Sequence, residues 1–147
     1  MKKIFACLLG LLGFAGCDEI GNEQVEYGSP YVEFSVKGTI TDGEKAIENV
    51  KIEATQTYPY LFSEPWKTLT TNAKGEFELS GQVGCSPLDT TIGIRLVAND
   101  PGGKYKNDTT EVFFFRNEFS GKKKKDNWFD GSAEKTVNIT LKEKNGK

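Results

Sequence analysis

The thiol of Cys17 is the side chain whose position in this sequence most clearly suggests chemistry. It follows two lysines and an apolar run of about 11 residues at positions 4–14. Such a run lies in the range of secretory signal peptides and is too short to cross a bilayer as a helix. Small residues stand directly before the cysteine, at positions 15 and 16, as a peptidase that cuts before a cysteine requires.

Residues 14–17, Phe-Ala-Gly-Cys, resemble the lipobox of bacterial lipoproteins, which usually reads Leu-Ala/Ser-Gly/Ala-Cys. The resemblance implies that residues 1–16 are a lipoprotein signal peptide and that Cys17 is diacylated on sulfur. Phe14 departs from the motif, where leucine is commonest. The alternative is an ordinary secretory signal with an unrelated cysteine. Because each buried methylene contributes about 0.8 kcal/mol, two or three acyl chains would hold the protein firmly at a membrane.

The composition of the chain after residue 16 argues against several functions. Cleavage there removes two lysines and no acid, which leaves 17 basic against 21 acidic residues and changes the net charge from -2 to -4. An acidic chain is a poor nucleic-acid binder. The sequence has no histidine, which excludes histidine-dependent triads and imidazole metal sites. It also has no glycine-rich phosphate loop and no nucleophile elbow. We therefore expect no catalytic residue, no metal and no cofactor.

The cysteine count leaves Cys85 without a partner. Cys7 lies in the signal and Cys17 is used for the lipid, so an intramolecular disulfide is excluded. We expect one free thiol at Cys85, either as a small, partly buried side chain or as a reactive or modified group.

Residues 17–30 are predicted to be the lipidated cysteine and an acidic tether, since positions 18–30 are polar and acidic. Asp18 and Glu19 lie where lipoprotein sorting signals are found. An acid there favours inner-membrane retention in some Gram-negative bacteria and accompanies surface export in others. We expect a lipid-anchored envelope protein of the outer membrane, on its periplasmic face or at the cell surface, rather than of the inner membrane.

Residues 31–147 are predicted to be one all-β domain, because apolar residues alternate with polar ones between turn signals. The alternation gives seven short strands and no convincing amphipathic helix, which is typical of a seven-stranded antiparallel two-sheet sandwich. The predicted strands lie near residues 31–40, 47–54, 66–70, 77–79, 91–98, 110–115 and 136–141.

Residues 37–42, 46–52 and 70–79 resemble the carboxypeptidase-regulatory-like domain, whose motifs read G-x-V-x-D, P-x-x-G-V-x-V and T-D-x-x-G-x-F-x-L. That family has a seven-stranded transthyretin-like (prealbumin-like) sandwich and is not itself catalytic. The resemblance implies that Gly75 makes a hairpin turn and that Phe77 and Leu79 lie in the core. Asn49 stands where the family usually has glycine, and asparagine tolerates a positive φ.

The whole arrangement resembles a second family, the lipoproteins encoded beside radical-SAM enzymes in gut-type anaerobes. The features that carry this resemblance are the lipobox, Tyr-Gly-Ser-Pro at 27–30, the three segments above and Asn-Asp-Pro-Gly-Gly-Lys-Tyr at 99–105. The family has no established activity. Membership implies a partner enzyme, which could itself modify this chain.

An aromatic, proline-containing stretch at residues 58–66 is predicted to be a loop and is a candidate interaction loop. Proline fixes φ and cannot donate to a β-ladder, so the stretch should lie between strands. Its rings can stack on sugars or bury in a partner. The other interpretation, which the sequence favours, is a lid that folds back over one end of the sandwich. The candidate binding residues are Tyr58, Tyr60, Phe62 and Trp66.

Two weaker motifs concern modification and metal binding. Asp-Thr-Thr occurs at residues 89–91 and 108–110 and resembles an O-glycosylation site of exported proteins in one group of Gram-negative bacteria, which makes Thr90 and Thr109 candidate acceptors. The alternative is that these side chains cap turns. Residues 126–131 have oxygen ligands but not the spacing or closing glutamate of a calcium loop, so we expect a turn there.

Residues 113–115, three consecutive phenylalanines, predict a core strand with one ring turned outward and with Phe119 and Trp128 covering its edge. Taken together, the sequence predicts a non-enzymatic, lipid-anchored β-sandwich that acts as a binding or structural module, or as the substrate of a maturation enzyme. Its expected partners are the membrane through the lipid, a radical-SAM enzyme, and a glycan or envelope protein, but no nucleic acid. The alternative function is an envelope enzyme that acts on glycan with carboxylates alone.

Overall fold

The computed structural model describes residues 28–58, 61–84, 91–121 and 128–144. Within these ranges there is no α-helix, only a 3-10 turn at Arg116–Glu118, and no helix there could span a membrane. The strands are β1 (Tyr31–Thr41), β2 (Lys51–Tyr58), β3 (Lys67–Thr70), β4 (Glu76–Gly84), β5 (Thr91–Asn99), β6 (Asp108–Phe115), β7 (Phe129–Thr136) and β8 (Ile139–Thr140).

The strands form two four-stranded sheets. The first has the order β4-β1-β7, with β8 pairing β1 beyond the end of β7, and the second has the order β3-β2-β5-β6. Burial alternates along β1 and along most of β5, so each sheet turns one face inward, as period-two patterning requires. The predicted all-β, two-sheet sandwich is confirmed.

The core lies between the two sheets and includes both residues that the carboxypeptidase-regulatory-like motif assigned to it. Phe77 and Leu79 of β4 are buried, and Phe114 of β6 is fully buried in the same cluster. Burial of each such side chain stabilises the fold by about 1.5–3 kcal/mol. The prediction of the β4 register is therefore confirmed.

The expectation of a purely antiparallel sandwich is wrong at β1. Both β7 and β8 run parallel to it, with Ser35 opposite Glu134 and Ile40 opposite Ile139. The predicted turn at residues 126–131 overlaps the start of β7, while the predicted strand at 136–141 is reduced to the two residues of β8. The sequence of β7 is FDGSAEKT, whose small and polar residues give little period-two signal.

Two turn residues adopt the conformations that the motif resemblance implied. Asn49 has a φ of 63° and Gly75 a φ of 69°, both in the left-handed region. A Cβ atom at Gly75 would lie 2.5 Å from the carbonyl oxygen of Ile40. Glycine is needed at this hairpin for its conformation and for the close approach of β1. Ile47 and Val50 are buried but precede β2, so the second strand begins later than predicted.

Candidate functional site

A cleft opens at the edge of the sandwich because one edge strand is short. The strand β3 has four residues, whereas its neighbour β2 has eight. It pairs only with Lys51 to Ala54, so the last half of β2 has no strand beside it on that edge. The candidate interaction loop runs along this uncovered part of β2.

Main-chain hydrogen bonds hold the loop against β2 at two of its described aromatic residues. The N–H of Phe62 donates to the carbonyl of Gln56 at 3.1 Å, and the N–H of Trp66 donates to the carbonyl of Ala54 at 3.0 Å. These bonds satisfy carbonyls that a longer β3 would otherwise have paired. They also fix the points from which both rings project.

Trp66 is seated on a glycine of the opposite sheet. Its ring meets the ring of Phe34 edge to face, with centroids 5.9 Å apart and an interplanar angle of 88°. A Cβ atom at Gly81 would lie 2.9 Å from the indole and 2.7 Å from the Phe34 ring. Both rings therefore depend on the missing side chain at position 81.

The loop, the end of β2 and the second half of β4 enclose a cleft of about 260 Å³. We call it the edge cleft. Aromatic rings form much of its wall and a small number of polar side chains reach it, which is the usual composition of a ligand site. Its lining residues are Phe34, Gln56, Phe62, Glu64, Trp66, Gln82 and Val83.

Two of the predicted binding residues meet at this cleft and one does not. Phe62 and Trp66 line it and remain 51% and 41% exposed. Tyr58 is also exposed, but it lies by Gly93 on the outer face of the second sheet, where a Cβ at Gly93 would be 3.2 Å from the Tyr58 Cβ and 3.1 Å from the Phe113 ring. The pairing of β2 with β5 shifts register between Gln56 and Tyr58, and Tyr58 lies beyond this shift on the outer face. Tyr60 lies outside the described residues.

Sequence patterning missed the polar member of the site, Gln56. It occupies an inward position of β2, where alternation with Ile52 and Ala54 would favour an apolar residue. The signal that could have found it is this break in the apolar row, because a buried amide in a core position needs an explanation.

The phenylalanine strand presents two exposed rings rather than one. Phe113 and Phe115 are exposed and Phe114 is fully buried, since successive residues of β6 point to opposite faces. Phe119 does pack against Phe114, with centroids 5.9 Å apart. Trp128 lies elsewhere, against Gly28, where an added Cβ would be 2.4 Å from the indole nitrogen.

The modification candidates are only partly within the described structure. Thr109 is exposed in β6 opposite Val97, and its neighbour Thr110 donates a hydroxyl hydrogen bond to Asp108 at 3.3 Å. This second Asp-Thr-Thr motif therefore starts a strand. Thr90, Cys85 and Cys17 lie outside the described residues.

Two carboxylates stabilise turns, Asp42 directly after β1 and Asp100 directly after β5. Asp100 accepts main-chain N–H bonds from Gly102, Lys104 and Tyr105 at 2.8–2.9 Å. These bonds, that of Tyr105 first, hold the pKa of Asp100 below its usual range. The pKa of Asp42 is lowered in the same way, chiefly by the N–H of Lys45, and its carboxylate also accepts the Tyr105 hydroxyl at 3.1 Å. Their acceptor sites are thus occupied by the protein's own turns.

A second, more open groove of about 680 Å³ lies on the first sheet, and it shares Phe34 and Gln82 with the edge cleft. Its floor is polar, with serines from three neighbouring strands at positions 35, 80 and 132. Among the residues that the structure describes, no three His, Cys, Asp or Glu side chains are grouped so as to hold a metal ion.

The sequence matches no protein-family model and no curated protein sequence. Its structure is similar to catechol 1,2-dioxygenase from Pseudomonas arvilla C-1 and from Acinetobacter sp. ADP1, each at 13% identity, with TM-scores of 0.52 and 0.50. Chlorocatechol 1,2-dioxygenase from Pseudomonas putida is similar at 10% identity and a TM-score of 0.50. These matches cover 82–83% of this chain.

The chain spans 55% of the length of the first two of these dioxygenases and 70% of the third. At such low identity the likeness concerns the fold alone. The dioxygenase activity belongs to those proteins.

Proposed function

We propose that this protein is a lipid-anchored, non-catalytic binding module of the bacterial cell envelope, and that the edge cleft is its recognition site. The observation that carries the proposal is that Phe62 and Trp66 are held in place by main-chain hydrogen bonds while their rings stay about half exposed. Fixed, accessible aromatic rings lose little conformational entropy on binding and offer large contact area.

The exposure of these rings favours a recognition loop over a lid. A lid would bury its rings against the end of the sandwich, because burial of apolar surface is what would stabilise the closed state. Trp66 does contact Phe34 with one edge, yet 41% of the residue remains exposed. The remaining surface is available to a ligand.

The test of the recognition site compares two exposed residues of the same loop. Phe62→Ala should weaken binding of envelope glycans or of a purified envelope partner at least tenfold, while the free energy of unfolding changes by about 0.5 kcal/mol or less. Leu61→Ala is the matched control, because Leu61 is more exposed but does not line the edge cleft. Equal effects of the two variants on binding, or a large loss of stability in Phe62→Ala alone, would refute the proposed site.

The envelope location rests on the lipobox at residues 14–17. We infer acylation of Cys17, with the domain carried on the acidic tether at the outer membrane. Cys17→Ser should abolish palmitate labelling and either release the protein from the membrane fraction or block its processing. Labelled, membrane-bound Cys17→Ser protein would contradict the inference. The transthyretin-like type of the sandwich is also part of this proposal and is supported by the three motif segments.

The resemblance to lipoproteins encoded beside radical-SAM enzymes supports a second element, a partner enzyme that modifies this chain. The intact mass of the protein should then differ between cells that have and lack the neighbouring radical-SAM gene. Identical masses would remove this element and leave the binding module intact. Turnover of a glycan library by the purified domain would instead favour the carboxylate-only enzyme.

A further inference from the structure

Two polar side chains are buried within the described residues, and they differ in their hydrogen bonding. Thr71 is 3% exposed, and its hydroxyl accepts the N–H of Val50 at 3.0 Å and donates to the carbonyl of Ile47 at 2.8 Å. Gln56 is 8% exposed and lines the edge cleft, and its side-chain amide has no hydrogen-bond partner in the described part of the chain. Only the main-chain carbonyl of Gln56 is engaged by the loop.

The amide of Gln56 lies at an inward position but keeps contact with water, since the fully enclosed side-chain atoms without a partner in the described residues are the Ser35 hydroxyl oxygen and the Trp128 indole nitrogen. Gln56 lines the edge cleft, and a methionine of similar length could fill the same space without offering a hydrogen bond there. A mostly buried polar side chain that makes no hydrogen bond within the fold calls for an explanation, and a ligand in the cleft could supply the bond. The position of Gln56 at the wall of the edge cleft fits that role.

The surroundings of Gln56 narrow the class of ligand. The amide offers donors and an acceptor together, which matches hydroxyl groups, since each hydroxyl both donates and accepts. The rings of Phe34, Phe62 and Trp66 line the same cleft and suit a flat apolar face. At about 260 Å³ the edge cleft is smaller than the roughly 300–1,000 Å³ of drug-sized ligand sites. It therefore suits one small ring.

We propose that the edge cleft binds a single pyranose unit of a saccharide, with a C–H face against Phe62 and Trp66 and with hydroxyls bonded to the amide of Gln56. This inference rests on the proposed binding function and names the ligand class of the same site. The carboxylate of Glu64 and the amide of Gln82 complete the polar rim. Because Glu64 is an acid and no basic residue lines the cleft, neutral or amino sugars are favoured over uronic acids.

The test measures binding of methyl glycosides of glucose, galactose, N-acetylglucosamine and glucuronic acid to the mature domain. The Trp128→Phe variant leaves Trp66 as the reporter of fluorescence, and saturation-transfer NMR provides a second readout. We expect at least one neutral glycoside to bind, and to bind at least tenfold more tightly than the glucuronide. Glu64→Gln should reduce that discrimination. No binding of any saccharide by either method would overturn the saccharide inference.

Gln56→Met and Thr71→Val separate a ligand-binding amide from a structural one. Gln56→Met should lose at least tenfold in glycoside affinity while its urea midpoint stays equal or rises, because no internal bond is lost. Thr71→Val, the control, should lower the midpoint and leave affinity unchanged. A fall in the midpoint of Gln56→Met similar to that of Thr71→Val would overturn the role given to Gln56.

The saccharide inference and the proposed binding function can fail separately. If a purified envelope protein binds in a manner that depends on Phe62, and no sugar competes, the saccharide inference fails and the binding module stands. If Phe62→Ala and Gln56→Met both leave every ligand unaffected, the edge cleft is not the site and both proposals fail.

Discussion

Replacement of Gly38 by alanine should strongly destabilise the domain, because the main chain of Val137, between β7 and β8, packs directly against Gly38. A Cβ atom at Gly38 would lie 1.8 Å from the carbonyl oxygen of Val137 and 2.9 Å from the ring of Phe77. The backbone of Val137 is fixed here by its N–H bond to Lys37 at 2.7 Å, so it has little freedom to retreat.

The expected loss follows from these contacts. Ordinary carbon–oxygen contact requires a separation well above 3 Å, so the chain at Val137 must move by more than 1 Å. Overpacking of this kind typically costs about 1–3 kcal/mol, and here the obstacle is backbone rather than a flexible side chain. Loss of the neighbouring main-chain bond adds about 1 kcal/mol. We therefore expect a loss of about 3 kcal/mol, equivalent to a Tm lower by about 10–20 °C in a domain of this size.

Urea melts followed by tryptophan fluorescence measure this loss, and Gly84→Ala provides the matched control. Gly84 lies in β4 of the same sheet, and a Cβ there would meet only the Pro30 carbonyl oxygen, at 4.0 Å. The control should lie within about 0.5 kcal/mol of the parent. If Gly38→Ala loses less than about 1 kcal/mol, or no more than Gly84→Ala, the parallel placement of Val137 beside β1 is wrong.

Three further changes test the fold. Phe77→Ala should cost about 3–5 kcal/mol in urea melts, because Phe77 is a buried core ring; a loss under about 1 kcal/mol would mean that the β4 register is wrong. Asn49→Ala should cost about 1 kcal/mol and Asn49→Gly much less, since the φ of 63° suits glycine; equal effects would contradict this conformation. The pKa of Asp100 is lowered by folding, so its stabilisation is present above about pH 4 and is lost as the pH falls through the folded-state pKa. Asp100→Asn should be less stable than the parent at pH 7, and its free energy of unfolding should fall less than that of the parent as the pH is lowered. An acid transition identical to that of the parent would contradict the role of Asp100.

The parts of the fold that the sequence could predict are those where local pattern and tertiary environment agree. β1 and β5 alternate because one face of each is buried, and Gly75 and Asn49 stand where only a few residue types tolerate the backbone conformation. The loop after Tyr58 is marked by prolines that cannot join a ladder. In each case the choice of residue is limited by its local backbone conformation or by the burial of one strand face.

The parts that could not be predicted depend on partners far away in the sequence. β7 pairs with β1 across about a hundred residues, and its own small polar side chains carry no periodicity that announces the pairing. The edge cleft has the same origin. The sequence of residues 51–58 does not predict that β3 ends after four residues. Because β3 is short, no strand lies beside β2 at Gln56 on that edge.

Gly38 and Gly81 show two different consequences of a missing side chain in this sandwich. At Gly38 the missing side chain lets the main chain between β7 and β8 approach β1, where the side-chain oxygen of Asn138 accepts the N–H of Thr39 at 3.2 Å. At Gly81 the missing side chain instead makes room for the ring of Trp66, and 41% of that residue stays exposed. The missing side chain at Gly38 allows close packing of the main chain, whereas the one at Gly81 allows the Trp66 ring to form a wall of the edge cleft. A substitution at Gly38 should therefore act on unfolding alone, whereas one at Gly81 would displace the buried ring of Phe34 together with the ring of Trp66 and should change both stability and the edge cleft.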